Sequence, residues 1–168
     1  MILNDGSEVA LTSLDIRATE YTVGPGGAKA MPGSLPANVG YTYAVELSVD
    51  DAVAAGAQRV DFSTALPFYV ENFLDFPVSD PVPLGYYDRQ SGQWIGHANG
   101  IVLEILGVDE QGRAEIDIEG FGTPSNDNDL ADIGIFDAER MTLADLYEPG
   151  TSLWRYAEGV VNRNPQYG

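Results

Sequence analysis

Pro83-Leu84-Gly85-Tyr86-Tyr87-Asp88-Arg89-Gln90-Ser91-Gly92-Gln93-Trp94-Ile95 decides the fold class. Two short runs of aromatic and β-branched residues flank a polar turn ending at Gly92, where the missing Cβ leaves a positive φ accessible; this is the pattern of a β-hairpin. Outward from it the same punctuation recurs. Asn4-Asp5-Gly6, Gly24-Pro25-Gly26-Gly27, Asp80-Pro81, Asn99-Gly100 and Glu110-Gln111-Gly112 are turn signals. Between them the reading places strands at 14–23, 41–49, 59–63, 67–70, 84–87, 93–95, 101–108 and 114–118. The alternation of Tyr41-Thr42-Tyr43-Ala44-Val45-Glu46-Leu47 suits a strand with one dry and one wet face.

About seven or eight short strands with frequent turns predict an all-β fold, an antiparallel β-sandwich with one or two short peripheral helices. Helix signals stand at Asp50-Asp51-Ala52-Val53-Ala54-Ala55, stopped by Gly56, and from Ala138 to Leu146, with Asp137 as N-cap and Pro149-Gly150 beyond. The second helix carries a narrow apolar stripe, which predicts packing at the edge of the sandwich. The 168 residues read as a single domain with a loop-and-helix part at about 119–150. Gly24 to Pro36 reads as a long surface loop.

The formal net charge of −18, from 8 basic and 26 acidic residues, disfavours nucleic acid, because phosphate binding requires Lys and Arg to displace counterions. Anionic membrane surfaces are disfavoured for the same reason. The absence of cysteine removes disulfides and thiolate metal ligation. No apolar run reaches the ~20 residues of a membrane helix, so no membrane insertion is expected.

The strongest ligand-like pattern is acidic. Asp117, Glu119, Asp127, Asp129 and Asp132 supply hard oxygen donors, with Gly120 and Gly122 allowing the chain to curl, and this chemistry suits Ca²⁺. Phe121 breaks the alternation where a further oxygen would fall, and a solvated acidic loop is the competing reading. No cofactor other than calcium is expected. Tyr86, Tyr87 and Trp94 are candidate interaction residues: aromatic faces can stack on a sugar, although on a hairpin they also serve as cross-strand packing. The single histidine, His97, lacks a nucleophile and orienting carboxylate at meaningful spacing, and carboxylate pairs such as Asp15 with Glu20 arise by chance among so many acids. Lys29, the only lysine, lies in the Gly/Pro loop rather than in a core strand, which argues against an intramolecular isopeptide bond. No catalytic residue is expected.

Several stretches together resemble a known family. Ile16 to Gly24, Ala30-Met31-Pro32, Tyr41 to Ser48, Pro67 to Val78, the Tyr86 to Trp94 hairpin, Phe136 to Arg140, Leu146-Tyr147 and Leu153-Trp154-Arg155 resemble a ZU5-like β-sandwich module of large bacterial surface or toxin-like proteins that carry RHS/YD repeats. The resemblance implies a non-catalytic, extracellular or cell-surface module beside the repeat shell. Phe121 departs from the family's acidic loop, and Tyr156 to Gly168 departs after Trp154-Arg155. Self-cleavage in ZU5-like domains uses a His-Phe-Ser segment; Asp61-Phe62-Ser63 stands here without the histidine base.

The expected function is a structural or interaction module of a secreted or surface protein, its partners being other domains of a larger chain or other subunits. Two alternatives remain open. One is a fibre subunit that completes a neighbour's sheet with an edge strand, Glu8 to Thr12 or Trp154 to Val161. The other is a carbohydrate-binding module using Tyr86, Tyr87 or Trp94.

Overall fold

In a computed structural model, residues 1–13, 15–21, 31, 33, 43–62, 66–88 and 91–156 are described, the Arg59 side chain excepted. The expected Gly24 to Pro36 loop, Lys29, Ser63 and Val160-Val161 lie outside this set, save for Met31 and Gly33. The described chain is mostly strand with three short helices, so the all-β expectation holds in its coarse form. Two compact units are present: Met1–Thr64 with Gly85–Gly96 and Val161–Gly168, and Ala65–Leu84 with His97–Val160.

In the first unit β1 (Ile2–Leu3) pairs antiparallel with β4 (Ala57–Arg59), and β2 (Ile16–Glu20) pairs with β3 (Val45–Val49). Helix α1 (Asp50–Ala54) follows β3 directly and presents Asp50 and Asp51 in its first turn, where carboxylates oppose the positive end of the helix dipole. Val49, Ala52, Ala57 and Val60 form a small core closed by Met1, Leu3 and Phe62. The hairpin is β7 (Gly85–Asp88) against β8 (Gln93–Gly96), with Tyr86 opposite Ile95 and Tyr87 opposite Trp94. Its turn closes as expected: Gly92 has φ +68°, its N–H donates to Asp88 O, and the Asp88 carboxylate accepts from the Ser91 N–H and hydroxyl.

The second unit is built on a five-stranded antiparallel sheet. Its strands are β5 (Phe68–Glu71), β6 (Pro81–Val82), β9 (Gly100–Val108), β10 (Ala114–Asp117) and β11 (Ser152–Tyr156), in the order β10-β9-β11-β5, with β6 beside β9. One face, carrying Leu103, Ile105, Ile116 and Leu153, is covered by α2 (Asp127–Asp132) and α3 (Asp137–Leu146), which contribute Leu130 and Leu143 to a common core. Each such fully buried aliphatic side chain contributes about 1.5–3 kcal/mol relative to exposure. These helices are therefore core elements of this unit rather than peripheral ones. The inward face of α3 is Arg140, Leu143, Ala144 and Tyr147, a spacing of three, four and seven. The expected stripe fails because Met141 and Leu146 point outward and an arginine takes an inward position.

Both edges of the sheet are blunted. On β10 the outward carbonyl of Ala114 accepts from Arg140 Nε at 2.9 Å, and that of Ile116 accepts from the Ser125 N–H at 2.8 Å. On the far side β5 follows Pro67, which has no N–H, and the Glu71 carbonyl accepts from Phe73 N. Pro81 opens β6. Occupied carbonyls and prolines are the devices by which sheets resist edge-to-edge pairing. Trp154 to Tyr156, anticipated as an exchangeable edge strand, lies inside the sheet between β9 and β5.

Candidate functional site

Three of the five anticipated calcium ligands, Asp117, Asp127 and Asp129, are engaged with the protein itself. Asp117 is 1% exposed at the end of β10. Its Oδ1 accepts from the N–H groups of Glu119 and Gly120 at 2.9 and 2.8 Å, and its Oδ2 from Gly122 N at 2.6 Å. Gly120 (φ +79°) and Gly122 (φ +69°) supply the left-handed conformations that turn these amides toward one carboxylate. Burial pushes the Asp117 pKa up, yet the backbone donors outweigh it and hold the group below the usual carboxylate range.

The Asn-Asp run beyond is a helix start. The Asn126 side chain accepts from Asn128 N and Asp129 N as the N-cap of α2, and Asp127 and Asp129 occupy the first turn. Asp127 also accepts from Arg140 Nη1 at 2.7 Å, and Asp129 accepts from the Asn126 amide. Glu119 and Asp132 are exposed. No group of three or more His, Asp or Glu side chains is placed to hold a metal among the described residues. Backbone amides engage Asp117, and an arginine and the Asn126 amide engage Asp127 and Asp129.

Since Asp117 has a depressed pKa in the fold, the stability it contributes is fully present above its unfolded pKa of about 3.9 and is lost as pH falls through the lower folded value. Asp117→Asn is expected to lower stability at neutral pH by about 1–3 kcal/mol, the range for weakening a buried charge-assisted acceptor. The deficit relative to the parent should shrink below about pH 4; urea melts at neutral and acid pH check both points.

A second polar cluster ties the helices to the sheet. Arg113 pairs with Asp109 at 2.8 Å and Asp137 at 2.8 Å, and Arg140 adds Asp127 beneath an open hollow of about 450 Å³ lined also by Leu130, Ile135 and Phe136. Deeper, Arg155 Nε donates to Glu139 Oε1 at 2.8 Å, its Nη atoms reach the carbonyls of Ile133 and Gly134, and the Tyr69 hydroxyl donates to Glu139. Burial first, and the bond to Glu139 second, raise the Tyr69 pKa, so the phenol stays protonated as a donor. Among the described residues no buried side-chain nitrogen or oxygen lacks a partner.

The three hairpin aromatics do not share a platform. Tyr87 and Trp94 meet edge to face, with ring centroids 5.5 Å apart and planes at 61°, and Trp94 Nε1 donates to Gly33 O at 3.4 Å. Tyr86 pairs with Ile95 on the opposite, more exposed face of the ribbon. His97 closes the base of the hairpin excursion through its N–H to Leu84 O at 2.8 Å.

The feature that reads most clearly as a recognition element is the loop from Asn72 to Ser79, where none was expected. It holds the two non-glycine residues with positive φ among the described residues, Asp75 (53°) and Ser79 (78°). Such conformations persist only where their surroundings impose them. The Asn72 amide imposes this one: Nδ2 donates to Phe76 O and Ser152 Oγ, and Oδ1 accepts from Phe76 N and from Trp154 Nε1, the last at 2.6 Å. All four of its hydrogen-bonding positions are filled. Phe73 and Phe76 flank the Trp154 ring at centroid distances of 4.8 and 5.5 Å. The result is a fixed loop on the sheet face opposite α2 and α3, which leaves Phe73 52% and Leu74 41% exposed. In the sequence, Asn72-Phe73-Leu74-Asp75-Phe76-Pro77 carried the signal, as apolar residues interrupted by turn formers just after a strand.

Comparisons with protein-family models, with curated proteins and with solved structures find no match.

Proposed function

We propose that this chain is a non-catalytic structural and interaction module of a secreted or cell-surface bacterial protein, and that it makes contact through the Phe73–Leu74 loop. The carrying observation is that loop: two large apolar side chains held out to solvent on a backbone fixed by Asn72 and Trp154. Preorganised aromatic and aliphatic anchors of this kind favour binding because little conformational freedom remains to be lost on association. The extracellular setting rests on the resemblance of residues 14–155 to modules of RHS-repeat surface proteins. The acidic composition is in keeping with it. The stacked-sheet form of the fold belongs to the same proposal, with the five-stranded sheet as one layer.

The blunted edges of that sheet and the interior place of Trp154 to Tyr156 favour this reading over strand exchange into fibres. The division of Tyr86 from Tyr87 and Trp94 favours it over a sugar-stacking platform. No helix among the described residues is long and apolar enough to cross a membrane.

Isopropanol titration followed by amide NMR tests the site. Small organic probes collect at preorganised apolar hot spots, so the amides of Phe73, Leu74 and Asp75 should shift first, and Phe73→Ala/Leu74→Ala should abolish the response while leaving the melting temperature within a few degrees. Probe accumulation elsewhere, with this loop silent, would remove it as the contact.

A further inference from the structure

Asn99-Gly100 reads in the sequence as a turn, and the structure gives it another setting. Residues 97–99 form an irregular connection after β8, and Gly100 is the first residue of β9. Packing, not a turn, demands the glycine. A Cβ at position 100 would stand 2.6 Å from the Arg155 carbonyl oxygen and 2.9 Å from Tyr156 Cδ1, so β11 lies against β9 here only because no side chain intervenes. Asn99 itself is exposed, and its side-chain amide makes no hydrogen bond to any other described residue. The other described asparagines are placed differently. Asn72 has every hydrogen-bonding position filled, Asn126 caps α2, and Asn4 and Asn128 are followed by aspartates. Asn-Gly occurs nowhere else in the sequence.

We infer that Asn99 is a site of spontaneous covalent modification, in which its side-chain amide is lost and the main chain is rerouted through the side chain. The Gly100 nitrogen, after giving its proton to hydroxide, attacks Asn99 Cγ, and no Cβ on the glycine obstructs the approach. The Cγ–Nδ2 bond breaks, and Nδ2 takes a proton from water and leaves as ammonia, closing a cyclic imide. Water then adds at one imide carbonyl, whose bond to the Gly100 nitrogen breaks, and that nitrogen regains its proton. Opening at Cγ yields aspartate; opening at the main-chain carbonyl carbon yields isoaspartate, with an extra methylene in the backbone. The net change is amide plus water to carboxylate plus ammonium. Gly100 is paired with Val82 of the short strand β6, so the attack starts from a state in which β6 has come off β9, a local opening at the end of the sheet. Isoaspartate lengthens the chain just before β9, and the pairs of Val82 with Gly100 and Pro81 with Ile101 then lose their register.

Ageing the folded full chain at mildly alkaline pH in heavy-oxygen water, followed by peptide mapping and isoaspartyl methyltransferase labelling, tests the site. Isoaspartate should accumulate at position 99 at least about ten-fold faster than at Asn4, Asn72, Asn126 or Asn128, whose following residues all carry a Cβ, and the rate should rise with pH. Asn99→Gln, whose longer side chain closes the ring poorly, should abolish the product while leaving the melting temperature within a few degrees. The Gly100 amide should exchange hydrogen faster than that of Leu103 in the middle of β9, the signature of local opening. Absence of isoaspartate at position 99 in the folded protein, whether or not the urea-unfolded chain forms it, overturns the inference. Equal rates at all the asparagines, or a Gly100 amide as protected as that of Leu103, would do the same.

Discussion

Arg155→Met should cost about 3–5 kcal/mol of stability, the range measured when one partner of a buried ion pair is removed. Arg155 is 3% exposed in the middle of the sheet. Its guanidinium joins Glu139 of α3, the Tyr69 hydroxyl of β5, and the carbonyls of Ile133 and Gly134 in the turn after α2. Methionine fills much of the volume but leaves Glu139 facing Tyr69 with no cation, and leaves two carbonyls short of a donor. Burial opposes the charge on Arg155, yet Glu139 and Tyr69 hold its pKa above the ordinary value, so no accessible pH neutralises the side chain and relieves the network. Urea melts of the second unit's tryptophan signal report the loss. Arg155→Met/Glu139→Gln should recover part of it, giving a coupling energy of about 0.5–3 kcal/mol in a double-mutant cycle. Additive losses would mean that the two groups act independently and that the network is not what ties α3 to the sheet.

Local chemistry was the part of the fold that could be read in advance. Gly92 and the Asp88-Ser91 polar turn fix the hairpin within a few residues, and the strands at 101–108 and 114–118 are recovered nearly whole. Helix α2 was missed for a reason internal to the residues: Asn126, Asp127 and Asp129 suit cation ligation as well as an N-cap with an acidic first turn, and the sequence does not show the cap or the pairing of Asp127 with Arg140. Arginine is also why the inward face of α3 was misjudged. A periodicity reading counts Arg140 as solvent-facing, whereas three-dimensional pairing with Asp127 and the Ala114 carbonyl allows it to be buried. The fixed form of the Asn72–Ser79 loop was not legible for a related reason. The apolar residues and turn formers at 72–77 do not show that Asn72 is bonded to Trp154, 82 positions away, or that Phe73 and Phe76 flank that ring. Non-local partners, not propensities, determine what these residues do.

Trp154→Ala should be nearly as damaging as the loss of Arg155, by about 3–5 kcal/mol, the cost of truncating a buried aromatic. The indole is 1% exposed and does two jobs. As a ring it supports Phe73 and Phe76, and as a donor it completes the Asn72 amide, whose bonds to Phe76 bracket Asp75 in its positive-φ conformation. Trp154→Phe separates these roles. It keeps most of the apolar contact but leaves Asn72 Oδ1 with only Phe76 N, and should cost about 1–2 kcal/mol. If the strained loop depends on the indole N–H, Trp154→Phe will also raise hydrogen exchange at Phe73 to Phe76 well beyond the global change, because loops open locally once their restraints are removed. Exchange there that follows global stability alone would mean the conformation is set by the β5 and β9 strands that bracket the loop. The Asn72 amide would then be a passenger, and the fixed presentation of Phe73 and Leu74 would have to come from packing on the sheet.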